Sequence, residues 1–388
     1  MKRIFAFILS FILIFGSGVT AEAFQARPRD EALTAGYHLS EVIELIMTRY
    51  LGDSITVDML FEAAIRGMTD ELDEFSTYFT AAELSMFTDS LAGRIIGIGI
   101  TMVLSDDGMV EISRVLPGSP AEGVGVLPGD FLLTVDGEDV TGMPFDSIAA
   151  IITDPNEEWV TITVQRQGRV HTFTIQKAEI RNPTVVLERF ENMEETSGIT
   201  GLHNFRYVQI NSVGLTTGDD VRQVISIMQS EGVEGIILDL RGNAGGYLDV
   251  TIDIANQLVP QGVVLQTINQ AGRRRTYSSV LSEMPFDNVV VLVNRFTASA
   301  AEVIASALQD SGAAVIVGEP TFGKGLVQSL YLMRTGGGLR ITTEEYFRRN
   351  GGTINNIGVM PCILVERHGS AEGLDPVLRR GLDILLGM

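Results

Sequence analysis

Apolar and polar positions change period twice along this chain, and the changes divide it into three regions. From residue 29 to about 90 the period is helical. Leu39, Val42, Ile43, Leu45 and Ile46 form one apolar stripe, Asp58 to Met68 predicts a second helix ending near Gly67, and Ala81 to Leu91 predicts a third. The stretch Leu72-Asp73-Glu74-Phe75-Ser76-Thr77-Tyr78 interrupts this pattern. From 92 to 177 the period shortens to that of strands. Ile95–Val103, Val110–Val115, Phe131–Val135, Val160–Arg166 and Val170–Ile175 alternate, with turn signals at Asp106-Asp107-Gly108 and Asp136-Gly137. Short helices fit Pro120–Gly125 and Asp146–Ile152. From Ile180 onward strands and helices take turns. Strands are predicted at Val208–Ile210, Gly235–Leu240, Val289–Val293, Ala314–Gly318 and Gly338–Thr343. Helices are predicted at Thr217–Gln229, Tyr247–Leu258 and Ala298–Ser311. That alternation predicts an α/β core.

The 388 residues suit two or three domains. Residues 1–23 read as a signal peptide, 24–91 as a helical region, 92–177 as a β-rich module and 178–388 as the α/β core with a helical tail. The leader reading rests on Lys2 and Arg3, the apolar run Ile4–Phe15, and Ala21-Glu22-Ala23. That run is shorter than the roughly 20 residues a membrane span needs. Cleavage after Ala23 and export to the periplasm or another extracytoplasmic envelope space are the expectation. The alternative is an uncleaved N-terminus that associates with the membrane. A formal charge of −21 makes nucleic acid a poor partner. Cys362 is the single cysteine, and His38, His171, His203 and His368 lack metal-ligand spacing, so no disulfide and no metal or other cofactor is expected.

In the β-rich module, Ile96-Gly97-Ile98-Gly99-Ile100 opens a strand whose glycines let backbone N–H groups converge on a carboxylate. Ser119-Pro120-Ala121 then starts a helix by capping logic, and Gly129-Asp130 leads into a strand. This order resembles a PDZ domain. The resemblance implies that a partner's C-terminal tail adds as a strand over Ile96–Ile100.

Three segments of the core carry candidate chemistry. Asp239-Leu240-Arg241-Gly242-Asn243-Ala244-Gly245-Gly246 is a glycine-rich turn after a buried strand, able to present N–H groups to an anion. Thr297-Ala298-Ser299-Ala300-Ala301-Glu302 places a serine at a helix start, where serine often serves only as a cap. Gly318 to Lys324 matches most of a phosphate-binding loop, but Gly325 stands where that loop needs Ser or Thr.

Together the segments resemble the carboxyl-terminal processing, or tail-specific, proteases, as does the Gly67-Met68 … Leu72-Asp73 … Ser76-Thr77-Tyr78 stretch. The resemblance implies a protease core of crotonase/Clp-like β-α units. It implies Ser299 as nucleophile, Lys324 as general base, Gln328 as the residue that orients the lysine, and backbone N–H groups of Gly245 and Ala300 as the oxyanion hole. It also implies peptide substrates with apolar C-terminal tails and a homodimer formed through the N-terminal helices. A Ser-Lys pair needs a neutral amine, hence a desolvated lysine with no carboxylate holding its proton. The sequence departs from the family pattern at Ala244, at Thr297 and Ala301, at Thr153–Glu158 after the second PDZ helix, and in the stretch Tyr346–Gly352. The competing readings are a non-catalytic PDZ scaffold on an inactive core, and a Ser-His-Asp protease, for which Ala244 stands in place of the serine.

Overall fold

The computed structural model describes residues 29–91, 94–104, 109–116, 118–143, 145–154, 157–181, 183–190, 201–334, 336–365 and 375–387. The expected signal peptide lies outside the described residues. No helix among them is long and apolar enough to cross a membrane. The chain divides into two compact units, Met1–Leu72 and Asp73–Met388.

The first unit contributes helices Arg29–Arg49 and Val57–Asp70. Thr56 caps the second, its hydroxyl accepting the Met59 N–H at 3.2 Å. Of the apolar stripe expected on the first helix, Leu39, Ile43 and Ile46 are half-buried, whereas Val42 and Leu45 are exposed, as are Leu33 and Tyr37 elsewhere on the helix.

In the second unit the β-rich module is an antiparallel sheet in the order Ile100–Leu104, Val110–Val115, Phe131–Val135, Trp159–Arg166, Arg169–Gln176. Ile100–Leu104 is therefore an edge strand. Strands Arg94–Gly97 and Ala178–Arg181 pair separately. Ile112, Val135, Ile148, Ile162 and Ile175 fill the core. Asp130, buried at the turn before Phe131, receives two hydrogen bonds from Arg166 at 2.6 and 2.7 Å. Burial raises the Asp130 pKa, but the Arg166 hydrogen bonds and the Leu127 N–H outweigh it and leave the carboxyl below its usual range.

The α/β core is built on a sheet in the order Val185–Arg189, Phe205–Ile210, Gly235–Asp239, Asn288–Val293, Val315–Gly318, Ile363–Leu364. Every pairing after the first is parallel. Alternate residues of Asn288–Val293 serve opposite faces. Val289, Val291 and Val293 join a cluster with Ile254, Val303 and Ile304, while Val290 and Leu292 pack with Leu378 and Leu382. Cover on both faces explains the unbroken apolar run that predicted this strand.

A third sheet centres on Gly338–Arg348, which pairs with Leu326–Leu332, with Gly262–Asn269 and with Thr77–Phe79. Gly262–Asn269 forms a hairpin with Arg274–Ser279. The sequence pattern marked neither that hairpin nor Leu326–Leu332. Gly338–Arg348 runs five residues beyond the predicted strand end at Thr343.

Candidate active site

Gly235–Asp239, Asn288–Val293 and Val315–Gly318 are consecutive, mutually parallel neighbours in one sheet, and each chemistry-bearing segment follows one of them. Parallel strands end on the same side, so the three loops emerge together beyond their carboxyl ends, where α/β sheets place their ligands. Hydrogen bonds then tie loop to loop. Ala298 N–H donates to Asn243 O at 2.9 Å, Thr297 Oγ1 to Leu240 O at 2.9 Å, and Phe322 N–H to Thr297 O at 3.0 Å.

The helix predicted from Ala298 starts at Ala300, which leaves Ser299 outside it at φ 54 and ψ −119. A left-handed backbone is costly for a residue with a Cβ and is held only where surroundings over-determine it. Here Glu302 does so. Its carboxylate is fully buried and accepts four hydrogen bonds: Ser299 N–H at 2.8 Å, Lys324 N–H at 2.9 Å, Gly323 N–H at 2.7 Å and Thr321 Oγ1 at 2.5 Å. One side chain thus fixes the serine segment against the lysine loop. Burial raises the Glu302 pKa against the lowering effect of those donors. Glu302 was legible only as the fourth residue of a Ser-x-x-Glu capping pattern.

Gly245 has φ 100, and a Cβ there would lie 2.8 Å from Ser299 Cβ and 2.9 Å from Ala300 N. Only glycine lets the turn approach the serine this closely. The structure thus brings Gly245, Ser299 and Ala300 together. Gly245 N–H is engaged, however, donating to Asn243 Oδ1 at 2.8 Å. Ala300 N–H opens the helix, where no intrahelical acceptor exists.

Lys324 Nζ sits 4.4 Å from the centroid of the Phe75 ring. Among the described residues it makes no hydrogen bond to Ser299 Oγ. The serine hydroxyl is instead within reach of the Tyr346 phenol. Tyr346 is fixed to the lysine loop twice, its N–H donating to Gly325 O at 2.9 Å and its hydroxyl to Lys324 O. Burial pushes the Lys324 pKa below its usual value, the Arg340 charge pushes it the same way, and Asp73, Glu74 and Glu302 oppose them. Gln328 lies on Leu326–Leu332 and donates to Thr342 Oγ1 at 3.2 Å rather than to Lys324. Thr342 donates in turn to Asp73 Oδ1 at 3.2 Å. Asp73, Phe75 and Tyr346 belong to stretches singled out in the sequence, but nothing in the pattern placed them around the lysine. Arg340 carried no signal.

In the PDZ-like module, a cavity of about 280 Å³ runs between Gly97–Met102 and the helix residues Ala149, Ile152 and Thr153. Gly97, Ile98, Gly99 and Ile100 line it, whereas Ile96 is exposed and does not. Gly99 has φ 83, and a Cβ there would come within 2.3 Å of Ser119 Cβ. No group of His, Cys, Asp and Glu among the described residues is arranged to hold a metal ion.

Comparison with known proteins agrees with this layout. The model of Peptidase family S41 matches residues 204–365, and that of the PDZ domain matches 111–166. A carboxyl-terminal-processing protease of Synechocystis sp. is 31% identical over 84% of this chain and 76% of its own length. One from Picosynechococcus sp. is 29% identical over 93% and 88%. Among solved structures, the photosystem II D1 C-terminal processing protease superposes with a TM-score of 0.59 at 28% identity, covering 83% of this chain and 86% of that one. Parallel strands that deliver three loops to one serine, behind a PDZ module, are therefore the framework of a known enzyme class: this chain belongs to the carboxyl-terminal processing proteases, serine peptidases of family S41.

Proposed function

We propose that the protein is an exported endopeptidase that captures substrate C-terminal tails in its PDZ groove and cleaves them with a Ser299–Lys324 dyad. The observation that carries this reading is the contact of Gly245 with Ser299 and Ala300, on a serine held at positive φ by Glu302. In the reaction, a rotation of the serine side chain away from Tyr346 brings Oγ to the lysine amine. Neutral Lys324 takes the hydroxyl proton as Oγ attacks the scissile carbonyl. Ala300 N–H receives the developing oxyanion, joined by Gly245 N–H once it leaves Asn243 Oδ1. The ammonium returns its proton to the leaving amine. Water activated by the same amine then hydrolyses the acyl-enzyme. Gln328, held through Thr342, orients the lysine as it moves.

The groove supports the tail-binding half of the reading. It is an apolar slot beside an edge strand, which suits an extended peptide ending in an apolar residue. The uncovered apolar residues of Arg29–Arg49 support a homodimer through the N-terminal helices. The leader at residues 1–23 supports export.

The test uses residues 24–388 and an unstructured substrate with an apolar C-terminus. Wild type should cleave, while Ser299→Ala, Lys324→Ala and Lys324→Arg should not, arginine being always protonated. Equal cleavage by all four would remove the dyad, and no cleavage by wild type would leave a PDZ scaffold on an inactive core.

A further inference from the structure

We propose that Arg340 is a positioning residue that keeps Lys324 in its neutral, proton-accepting form, acting as a second cation beside the amine. The proposal rests on the reading of Lys324 as general base. Arg340 is a half-buried guanidinium with no carboxylate in ion-pair distance among the described residues. Its Nε donates to Phe75 O at 3.0 Å, and its charge caps the stacked rings of Phe79 and Phe87, 5.2 Å from each centroid. The residue whose carbonyl anchors Arg340 is thus the one whose ring lies under Lys324 Nζ. Phe75 places the two cations on opposite parts of one residue.

The charged groups around the amine come from three elements. Arg340 is on the Gly338–Arg348 strand, Asp73 and Glu74 are on the turn before Thr77, and Glu302 is on the Ala300–Asp310 helix. Tyr346 meets the lysine only at its carbonyl. Two of the carboxylates, Glu302 and Asp73, are engaged by neutral donors. Glu302 accepts the four bonds described above, and Asp73 accepts Phe75 N–H at 2.9 Å, Ser76 N–H at 2.8 Å, Ser76 Oγ at 3.0 Å and Thr342 Oγ1 at 3.2 Å. Neither makes an ion pair with Lys324 or Arg340; Asp73, Glu74 and Glu302 draw the amine toward protonation, and burial together with the Arg340 cation outweighs them. A like charge nearby disfavours protonation, and a lysine beside another cation is a recognised way to make a neutral amine.

The chain has three lysines, Lys2, Lys177 and Lys324, which makes the amine directly observable. In full-length protein labelled with ¹³C-lysine, the Lys324 Cε signal is followed against pH. Arg340→Gln and Arg340→Met should move its midpoint up by at least about one pH unit, while Arg340→Lys should restore it. The low-pH limb of kcat/KM should move with it. An unchanged midpoint in the neutral variants overturns the proposal, and so does a folded wild type whose midpoint has the ordinary lysine value. The titration does not depend on turnover. Full activity in Lys324→Ala would remove the dyad while leaving the effect of Arg340 on the amine measurable.

Discussion

Replacing Glu302 by Gln changes no volume and removes one acceptor atom. The four partners of the carboxylate divide two and two. Oε2 accepts the main-chain N–H groups of Ser299 and Lys324, and Oε1 accepts Gly323 N–H and the Thr321 hydroxyl. An amide nitrogen in the Oε2 position would face two groups that can only donate. It therefore takes the Oε1 position, where the Thr321 hydroxyl can turn to accept but Gly323 N–H cannot. One buried N–H loses its partner, at about 1–3 kcal/mol, and the bonds that persist lose their ionic character. The expected loss is about 3 kcal/mol of core stability, or up to about a hundredfold in kcat if the loops shift only in the transition state. Urea unfolding and turnover of a short peptide without a tail measure the two parts. Glu302→Asp should not rescue, because a side chain one methylene shorter does not reach both loops. A Gln variant within about 0.5 kcal/mol of wild type and with unchanged kcat would refute the claim that this carboxylate fixes Ser299 against Lys324.

Other outcomes follow from the same geometry. kcat/KM should rise with pH through the Lys324 pKa, which burial and Arg340 set below the ordinary lysine value, because the protonated amine cannot accept the serine proton; a pH–rate profile reads the midpoint. Asp130→Asn should destabilise the PDZ module by about 3 kcal/mol by stranding Arg166, seen in thermal unfolding. The folded-state pKa of Asp130 is depressed, so its contribution in wild type is present above the unfolded pKa and is lost as pH falls through the folded one. Met102→Asp should weaken binding of an apolar tail at least about tenfold by fluorescence anisotropy, while leaving kcat on a tail-free peptide intact. Gly99→Ala should destabilise the module by about 2 kcal/mol or more, from its positive φ and the close approach of Ser119.

The parts of the site that follow one another in the chain were legible. Ser299 after a buried strand, Lys324 after the next, and Gly245 in the turn before them were all marked by local pattern. The backbone of Ser299 was not, because an N-cap serine ordinarily sits in the β region and a pattern of residue types does not encode the sign of φ. The surroundings of Lys324 were hidden for a different reason. Arg340 reaches a carbonyl 265 positions away, and Thr77–Phe79 joins a strand at the far end of the chain. Period-two alternation announces a strand but not its partner, so the turn that covers the lysine read only as a break between helices. The hairpin Gly262–Ser279 was missed because its outer strand, with Arg274, Arg275, Thr276 and Ser278, has no apolar face to signal it.

The most direct test is to trap the acyl group. Denatured within the first turnover of an activated ester, wild type should carry one acyl group on Ser299 by peptide mapping. Lys324→Met should carry none over the same interval, and Arg340→Lys should acylate like wild type. An acyl group on any other residue, or equal acylation of Ser299 when Lys324 is methionine, would contradict the dyad.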